Sequence, residues 1–350
     1  MADLLSHLQF LDFQAARRLP RAPAGLPEGR PHGHGFRLAA RFAQAPLVNR
    51  LAAARLASAA AGLDYQSLDS FCVDPTDVRI LGMLANQAEL STGAADLALQ
   101  SAPGRGVRRD AQGGLSAWCA YRFESAHRLP NVPPGHKCGR LHGHGFRAEI
   151  HIPAGLDEPG WHVDYARLDA AWAPLHAQLH HRHLNDLAGL ENPTSEWLAV
   201  WIWNAIRAAL PDCRWVTVYE TDSCGAHYDG QRHRIWKDFT IDSAACTPEV
   251  TLGHTWTLRL HLSGELHPVF GWAMDFADVK REFDPLFRSL DHQPLHAVEG
   301  LDTPDSAGLA RWIRRHAHLV LPSLGRVDVL DGCGAGVSLD WGQGGLAPLP

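Results

Sequence analysis

Histidine is unusually frequent in this chain, and three histidines in its middle third have the spacing of metal ligands. The 350 residues include 22 histidines, and the three are His127, His142 and His144. His142 and His144 are two residues apart, so on a strand their side chains point to the same face. His127 ends a preceding predicted strand, and the intervening loop allows the two strands to pair. Three histidines with an open fourth position are typical of catalytic zinc, whereas a hydrogen-bonded histidine pair is the simpler alternative.

A cysteine lies close to these histidines in the sequence and could take part in the same chemistry. Cys138 precedes His142 by four residues and follows Lys137 directly. A thiolate beside a cationic metal and a lysine would have a lowered pKa and could act as a nucleophile or a base. The alternatives are a fourth zinc ligand and a buried, unreactive thiol.

The elements that must position these residues occur three times along the chain. A strand-like segment followed by a Gly-His element recurs at residues 13–36, 123–146 and 239–256. Apolar residues then alternate with polar ones, which predicts a strand. Each copy therefore opens with two strands. Neither of the other copies has a cysteine at the position of Cys138, so the fold does not require that thiol.

Two helices and two further strands follow in each copy. The segments 165–180 and 276–289 predict a first helix, and a capping residue followed by proline marks the start of the second. These starts are Asp74-Pro75, Asn192-Pro193 and Thr303-Pro304. We expect an α+β protein of three units. The units are residues 1–117, 118–235 and 236–345, with a loose tail at 346–350.

The composition excludes several classes of protein. The chain is 45% hydrophobic with a formal net charge of −6, so the basic footprint of a nucleic-acid-binding protein is absent. No apolar run approaches the roughly 18 residues of a membrane span, and the first residues lack the pattern of a signal peptide. An odd number of cysteines, 7, argues against a disulfide framework. We therefore expect a cytoplasmic protein without a nucleic-acid or membrane partner.

Longer motifs surround the candidate site. They are Phe-Glu-Ser-Ala-His-Arg-Leu-Pro at 123–130, Pro-Gly-His-Lys-Cys-Gly-Arg-Leu-His-Gly-His at 134–144, Asn-Pro-Thr-Ser-Glu at 192–196 and Tyr-Glu-Thr at 219–221. Through them, residues 118–230 resemble the 6-carboxytetrahydropterin synthases of queuosine biosynthesis, within the 6-pyruvoyl-tetrahydropterin synthase family. The third unit is similar through 237–240, 271–276 and 290–292, and the first only weakly.

The resemblance implies a fold in which closure of the sheet is the main feature. Each unit would be a T-fold, a four-stranded antiparallel sheet with two helices. Three such units would close into one pseudo-trimeric barrel, which removes exposed sheet edges. The chain would then need no trimer of separate chains, and at most two chains would stack as a homodimer.

The resemblance also implies a reaction and a site. The reaction converts 7,8-dihydroneopterin triphosphate, a small-molecule pterin, to 6-carboxytetrahydropterin with release of acetaldehyde and triphosphate. Zn²⁺ on the three histidines would polarise the side-chain oxygens of the substrate, and Cys138 would move a proton on one face. An Asp-His pair would move protons on the other face. Glu220 corresponds to the glutamate that anchors the pterin ring, whose edge presents donors to a carboxylate.

The outer units depart from the implied zinc site. In the first unit Arg17 replaces the first histidine, and a cationic guanidinium would repel zinc. In the third unit Ala245 and Leu252 replace two ligands, and only His254 remains. We therefore expect one zinc site per chain, in the second unit.

The Asp-His pair is intact only in the third unit, as Asp291 and His292. In the second unit His180 stands where the aspartate is expected, before His181. We expect the site to be assembled between the second and third units, with Asp291 and His292 as catalytic residues. The competing assignment is His181, in the same unit as the metal.

Three other functions stay open at this point. A 6-pyruvoyl-tetrahydropterin synthase would eliminate triphosphate without releasing acetaldehyde. A zinc- and pterin-binding regulator would have lost catalysis, as the altered outer units suggest. A metallohydrolase would also use three histidines and a water, but it would leave Cys138 unexplained.

Overall fold

The same order of elements occurs three times in the part of the chain that the structure describes. The computed structural model describes residues 3–22, 27–43, 45–90, 95–155, 163–246 and 251–342. The expected tail at 346–350 lies outside them. The first unit contains strands β1 (Leu4–Arg17) and β2 (His32–Phe42), helix α1 (Pro46–Leu63), the short strand β3 (Gln66–Ser67), helix α2 (Asp77–Gln87), and strands β4 (Ala95–Ala102) and β5 (Arg105–Arg109).

The second unit follows the same plan, and the third does so except that a single bridge between Ala244 and Pro294 takes the place of the short strand. The second contains β6 (Leu115–His127), β7 (His142–Pro153), α3 (Val163–Leu179), β8 (Arg182–His183), α4 (Ser195–Ala209), β9 (Trp215–Thr221) and β10 (Cys224–Tyr228). The third contains β11 (His233–Cys246), β12 (Thr251–Ser263), α5 (Phe276–Leu290), α6 (Ser306–Val320), β13 (Leu324–Asp331) and β14 (Ala335–Asp340).

The twelve long strands form one closed antiparallel barrel. Around the barrel the order is β1, β2, β4, β5, β6, β7, β9, β10, β11, β12, β13 and β14. The last strand returns to the first, because Leu4 pairs with Asp340 and Gln9 with Ala335. The short strands β3 and β8 pair in parallel with β1 and β6. The predicted fold, three T-fold units in one pseudo-trimeric barrel, is confirmed.

Helices cover one face of the barrel wall, and alternate strand residues fill the space beneath them. In the second unit Phe123 and Phe146 are buried and stack across the strands with ring centroids 5.3 Å apart. Phe13 and Phe36 repeat this contact in the first unit at 4.9 Å. Such cross-strand aromatic pairs stabilise the sheet and fix its register.

The hairpin of β6 and β7 projects beyond its neighbours. Strand β5 pairs with residues 115–119 of β6, and β9 pairs with residues 147–151 of β7. Residues 120–127 and 142–146 therefore form a two-stranded arm, supported at its outer edge by β8. All three predicted zinc ligands lie on this arm.

The second helix of each unit begins two residues after the proline, later than predicted. Helix α4 starts at Ser195, and the side chain of Thr194 caps it by accepting the N–H of Trp197 at 3.2 Å. A tight turn precedes the cap, in which the N–H of Thr194 bonds to the carbonyl of Asn192 at 2.9 Å. Pro193 therefore lies in the turn rather than in the helix, and its carbonyl is free to accept another donor. Within the described residues no helix is both long and apolar enough to span a bilayer.

Candidate functional site

The three predicted metal ligands meet on the arm. Strand pairing sets His127 directly opposite His142, and Ser125 opposite His144. The ring centroids of the three histidines are 4.4 to 5.2 Å apart. Each ring offers a nitrogen, and these nitrogens lie within 4.8 Å of one another. Within the described residues, this is the one such group of three or more potential ligands.

The hydrogen bonds of the rings leave the right nitrogens for a metal. Nδ1 of His127 donates to the carbonyl of Pro193 at 3.1 Å, and Nδ1 of His142 donates to the carbonyl of Arg140 at 2.7 Å. Nε2 of His127 and Nε2 of His144 are buried without a hydrogen-bond partner. Metal-ligating histidines commonly donate their other N–H to a carbonyl in this way. The residues therefore fit a metal ion.

Burial keeps two of the rings neutral, which is the form that binds a metal. Desolvation lowers the pKa of His127 to about 4, against the opposing charge of Glu220. Desolvation also lowers the pKa of His144. At neutral pH both rings therefore carry a lone pair for coordination.

Glu220, the predicted substrate anchor, lies beside the histidines. Its Oε1 is 3.4 Å from Nε2 of His144. Its Oε2 accepts a hydrogen bond from Ser195 Oγ at 2.5 Å. The end of β9 and the start of α4 thus bring a carboxylate to within 3.4 Å of one histidine of the triad.

Cys138 lies on a short turn of 3-10 helix between the two strands of the arm, at Lys137–Gly139. Its side chain is half-buried. Burial raises the pKa of the thiol, and the charges of Asp275 and Glu220 raise it further, while Lys137 acts in the opposite direction. The sequence suggested a lowered pKa. The difference arises because two carboxylates and desolvation outweigh one lysine in the protein without metal.

Glu196 of the second unit, which is bonded to the third unit, completes this region, and it is not among the site residues predicted from the sequence. Glu196, in the first turn of α4, is buried and accepts the N–H of Ala273 at 3.0 Å. Desolvation raises the pKa of Glu196 to about 8, and Glu220 and Asp275 add to the effect. This carboxyl is therefore largely protonated at neutral pH. The available signal was an acid one residue into a helix, directly after a Pro-Thr-Ser cap.

Asp291 and His292 lie elsewhere in the third unit. Asp291 Oδ1 accepts the N–H of Asp242 at 3.0 Å, and His292 Nδ1 lies 2.9 Å from Asp291 Oδ2. The His292 side chain is 76% exposed. Helix α5 separates this pair from Asp275, which approaches Cys138, and its 15 residues span about 22 Å. Within the described residues, no hydrogen bond or ion pair joins Asp291 or His292 to the triad.

His181 shares a cavity with His144, one of the three triad histidines. The cavity has a volume of about 550 Å³, and both His181 and His144 line it. Nε2 of His181 lies 3.3 Å from a carboxylate oxygen of Glu124, and the side chain is 69% exposed. Of the two competing histidines, His181 is therefore the one that the fold brings towards His144.

In the first unit an ion pair fills the corresponding position. Arg17 is buried, and its Nη1 lies 2.6 Å from Asp77 Oδ1. Its Nε donates to Nε2 of His34 at 3.1 Å. The guanidinium thus bonds to a ring nitrogen that would otherwise be available for a metal, as expected from the replacement of the first histidine.

Comparisons with known proteins agree on one family. A family model described as 6-pyruvoyl tetrahydropterin synthase matches residues 118–231 and 232–340. A 6-carboxy-5,6,7,8-tetrahydropterin synthase from Synechocystis is 38% identical over 125 residues, which are 33% of this chain and 95% of that protein. A dihydroneopterin monophosphate aldolase from Pyrococcus furiosus is 33% identical over 92 residues, 25% of this chain and 77% of that protein. A solved 6-pyruvoyl tetrahydropterin synthase from Caenorhabditis elegans is 22% identical with a TM-score of 0.29, covering 31% of this chain and 89% of that one.

The two family matches cover well over half of the chain. They include the arm with the three histidines, the turn with Cys138 and the end of β9 with Glu220. The family predicted from the motifs is confirmed, and the named relatives support an enzyme of the lyase type. The chain belongs to the 6-pyruvoyl tetrahydropterin synthase family.

Proposed function

We propose that the chain is a zinc-dependent carbon–carbon lyase that converts 7,8-dihydroneopterin triphosphate and one water to 6-carboxytetrahydropterin, acetaldehyde and triphosphate. The observation that carries this proposal is that one unit holds three imidazoles with nitrogens within 4.8 Å of one another, a half-buried thiol, and a carboxylate 3.4 Å from His144. The similarity to a 6-carboxytetrahydropterin synthase over nearly all of that relative's length supports the product.

Each side chain has a role that follows from its surroundings. His127, His142 and His144 would hold Zn²⁺, which when bound would polarise the side-chain oxygens of the substrate. Glu220 would accept hydrogen bonds from the donor edge of the pterin. Glu196, protonated at neutral pH because it is buried, would be available as a donor to a pterin acceptor. Cys138 would take a proton from the substrate carbon that faces it.

The second acid–base group is proposed to be His181. Its shared cavity with His144 supports this choice. His292 follows the far end of helix α5, about 22 Å from the end at Asp275. Within one chain the Asp291–His292 pair would therefore be too remote. It could serve only a site of a second, stacked chain, as in the predicted homodimer.

A second candidate function keeps the class of reaction but changes the substrate. The relative from Pyrococcus furiosus is named an aldolase of dihydroneopterin monophosphate. The second candidate substrate therefore carries one phosphate in place of three. The 6-pyruvoyl type of elimination and a non-catalytic regulator are the further alternatives. A cytoplasmic location also stays a prediction.

The product profile of the zinc-loaded protein distinguishes these functions. The purified protein is incubated with dihydroneopterin triphosphate or monophosphate, and acetaldehyde, pterin product and released phosphate are each quantified. We expect acetaldehyde in equal amount to 6-carboxytetrahydropterin, with the triphosphate as the better substrate. Triphosphate release without acetaldehyde would indicate elimination, and tight pterin binding without any product would indicate a regulator.

A further inference from the structure

His136 joins the turn that carries Cys138 to the third unit. Its Nδ1 accepts the N–H of Cys138 at 3.3 Å and so caps the 3-10 turn. An Nδ1 that accepts leaves the proton of the neutral ring on Nε2. Nε2 lies 3.1 Å from Oδ2 of Asp275, which can accept that proton's hydrogen bond. Both ring nitrogens of His136 are therefore engaged, one with each unit.

Asp275 is held firmly in this orientation. Its Oδ1 caps α5 by accepting the N–H of Ala277 at 2.5 Å, which leaves Oδ2 for His136. The Asp275 side chain is only 8% exposed, and that of His136 only 23%. The ring of His136 also lies 6.1 Å from the ring of Trp272. The carboxylate therefore has little freedom to leave the imidazole.

The segment that delivers Asp275 is bonded to the second unit along its length. We call residues 267–275 the junction segment. Its carbonyls at Val269, Phe270 and Gly271 accept side-chain hydrogen bonds from the second unit at 2.7 to 2.8 Å. The N–H of Ala273 donates to Glu196 in addition. Asp275 is thus fixed relative to Cys138 through a built interface.

We propose that Asp275 and His136 form a positioning pair for Cys138. The third unit then completes the site of the second unit, because Asp275 fixes the tautomer of His136. His136 holds the 3-10 turn that carries Cys138. The inference rests on the proposed role of Cys138 as an acid–base group. Burial raises the pKa of the Cys138 thiol, the charges of Asp275 and Glu220 raise it further, and Lys137 lowers it. Through Asp275, the pair therefore acts on the protonation of Cys138 as well as on its position.

Two substitutions separate the charge of the pair from its hydrogen bonds. Asp275→Asn keeps a good helix cap and removes the negative charge near the thiol. His136→Asn keeps an acceptor near the position of Nδ1 but loses Nε2, whereas His136→Ala loses both. Asp305→Asn is the matched control, because Asp305 caps α6 in the same unit by accepting the N–H of Gly308 at 2.7 Å.

The first readout is the pH dependence of Cys138 alkylation by iodoacetamide, followed on the Cys138 peptide by mass spectrometry. We expect Asp275→Asn to move the midpoint down by about one pH unit, the size of effect of a neighbouring charge. Asp305→Asn should leave the midpoint unchanged. An unchanged midpoint in Asp275→Asn would overturn the proposed action on the thiol.

The second readout is turnover, with zinc content as a check on the metal site. We expect His136→Ala to lower kcat about tenfold or more through misplacement of the thiol, with KM and zinc content retained. His136→Asn should recover part of kcat. Equal kcat in wild type and His136→Ala would overturn the positioning role. If Asp275→Asn failed to fold, the two His136 variants would still decide. If wild type showed no turnover, the proposed function would fail, while the alkylation midpoints would still test the pair.

Discussion

A hydrogen bond shared by all three units explains why two units have an aspartate at the end of the first helix and the second unit has a histidine there. In each unit the side chain at the end of the first helix accepts the N–H of a residue on the first strand, at 2.8 to 3.1 Å. These side chains belong to Asp64, His180 and Asp291. Nδ1 of His180 thus supplies the acceptor that a carboxylate supplies elsewhere. The aspartate therefore has a structural role at this position, and its loss in the second unit leaves the turn intact.

The residue that follows has a left-handed backbone in every unit. Tyr65, His181 and His292 have φ values of 55° to 56°, a conformation uncommon for residues other than glycine. Each donates its N–H to the same strand residue, at 2.6 to 2.7 Å. Strained backbone of this kind persists only where surrounding contacts impose it. The shared φ and the shared hydrogen bond make the turns of His181 and His292 equivalent.

His181→Ala and His292→Ala therefore form a matched pair of variants. Both side chains are exposed, at 69% and 76%. We expect His181→Ala to lower kcat by about two orders of magnitude, within the range of general acid–base catalysis, and to retain zinc. His292→Ala should retain most of the turnover. Steady-state kinetics and metal analysis check both variants. The reverse ranking would identify His292, in the third unit of a second chain, as the acid–base group.

Cys138→Ala should abolish turnover without releasing zinc. The three imidazoles already supply the ligands of a catalytic zinc site, and the thiol is expected to act on the substrate. The control is Cys72→Ala, which removes a half-buried thiol of the first unit. Loss of zinc from Cys138→Ala would make the thiol a fourth ligand and contradict the catalytic role.

At the scale of elements, the arm could be predicted from the sequence and the junction segment could not. His-x-His on an alternating strand fixes a shared face, and the repeat of the motif placed a second strand opposite. The contact between Asp275 and His136 joins residues more than a hundred positions apart in different units. It depends on the path of the junction segment across the second unit, which no local pattern records. Burial is the main cause of the raised pKa of Cys138, and the charge of Asp275, which that same path supplies, adds to it.

Gly271 makes this path possible. Its φ is +73°, and a Cβ at this position would lie 2.6 Å from the ring of Trp197 and 3.0 Å from Asn192 Nδ2. Gly271→Ala should lower the free energy of unfolding by about 1–3 kcal/mol through backbone strain, and more through the clash. Gly300→Ala is the control, because Gly300 has the same φ and its nearest neighbour would be 3.9 Å away. Urea unfolding compares the two variants, and equal losses would mean that the junction adapts to the methyl group.

In the whole molecule, the barrel wall closes within one chain, so no second chain is needed to complete it. Among the described residues, every long strand has a partner on both sides, including β14 with β1, so this part of the chain leaves no wall edge to recruit another copy. A monomer or homodimer stays the prediction. The inner face of the wall carries buried histidines, among them His227 and His261. These residues alternate with the apolar residues that face the helices.

These buried histidines make stability depend on pH. Desolvation lowers the pKa of His227 well below its ordinary value and that of His261 to about 4. Between the unfolded pKa of about 6.5 and the folded value, the unfolded chain binds protons that the folded chain excludes. The free energy of unfolding should therefore fall as the pH falls through this window.

His227→Asn isolates one such contribution. The amide oxygen can replace Nδ1, which lies 3.0 Å from Thr217 Oγ1, but it does not titrate. Urea unfolding of the metal-free protein between pH 7 and 4.5 should show a shallower slope against pH in this variant than in wild type. Parallel slopes would show that His227 does not contribute to the pH dependence.

We propose that one zinc site, in the second unit, is the catalytic centre of the chain. The most direct measurement is a titration of zinc into the metal-free protein, with acetaldehyde formation from dihydroneopterin triphosphate as the readout. We expect the rate to rise linearly and to reach its plateau at about one zinc per chain, because a single catalytic zinc site requires three protein ligands and one unit supplies them. A plateau at three zincs per chain, or the same rate without zinc, would contradict it.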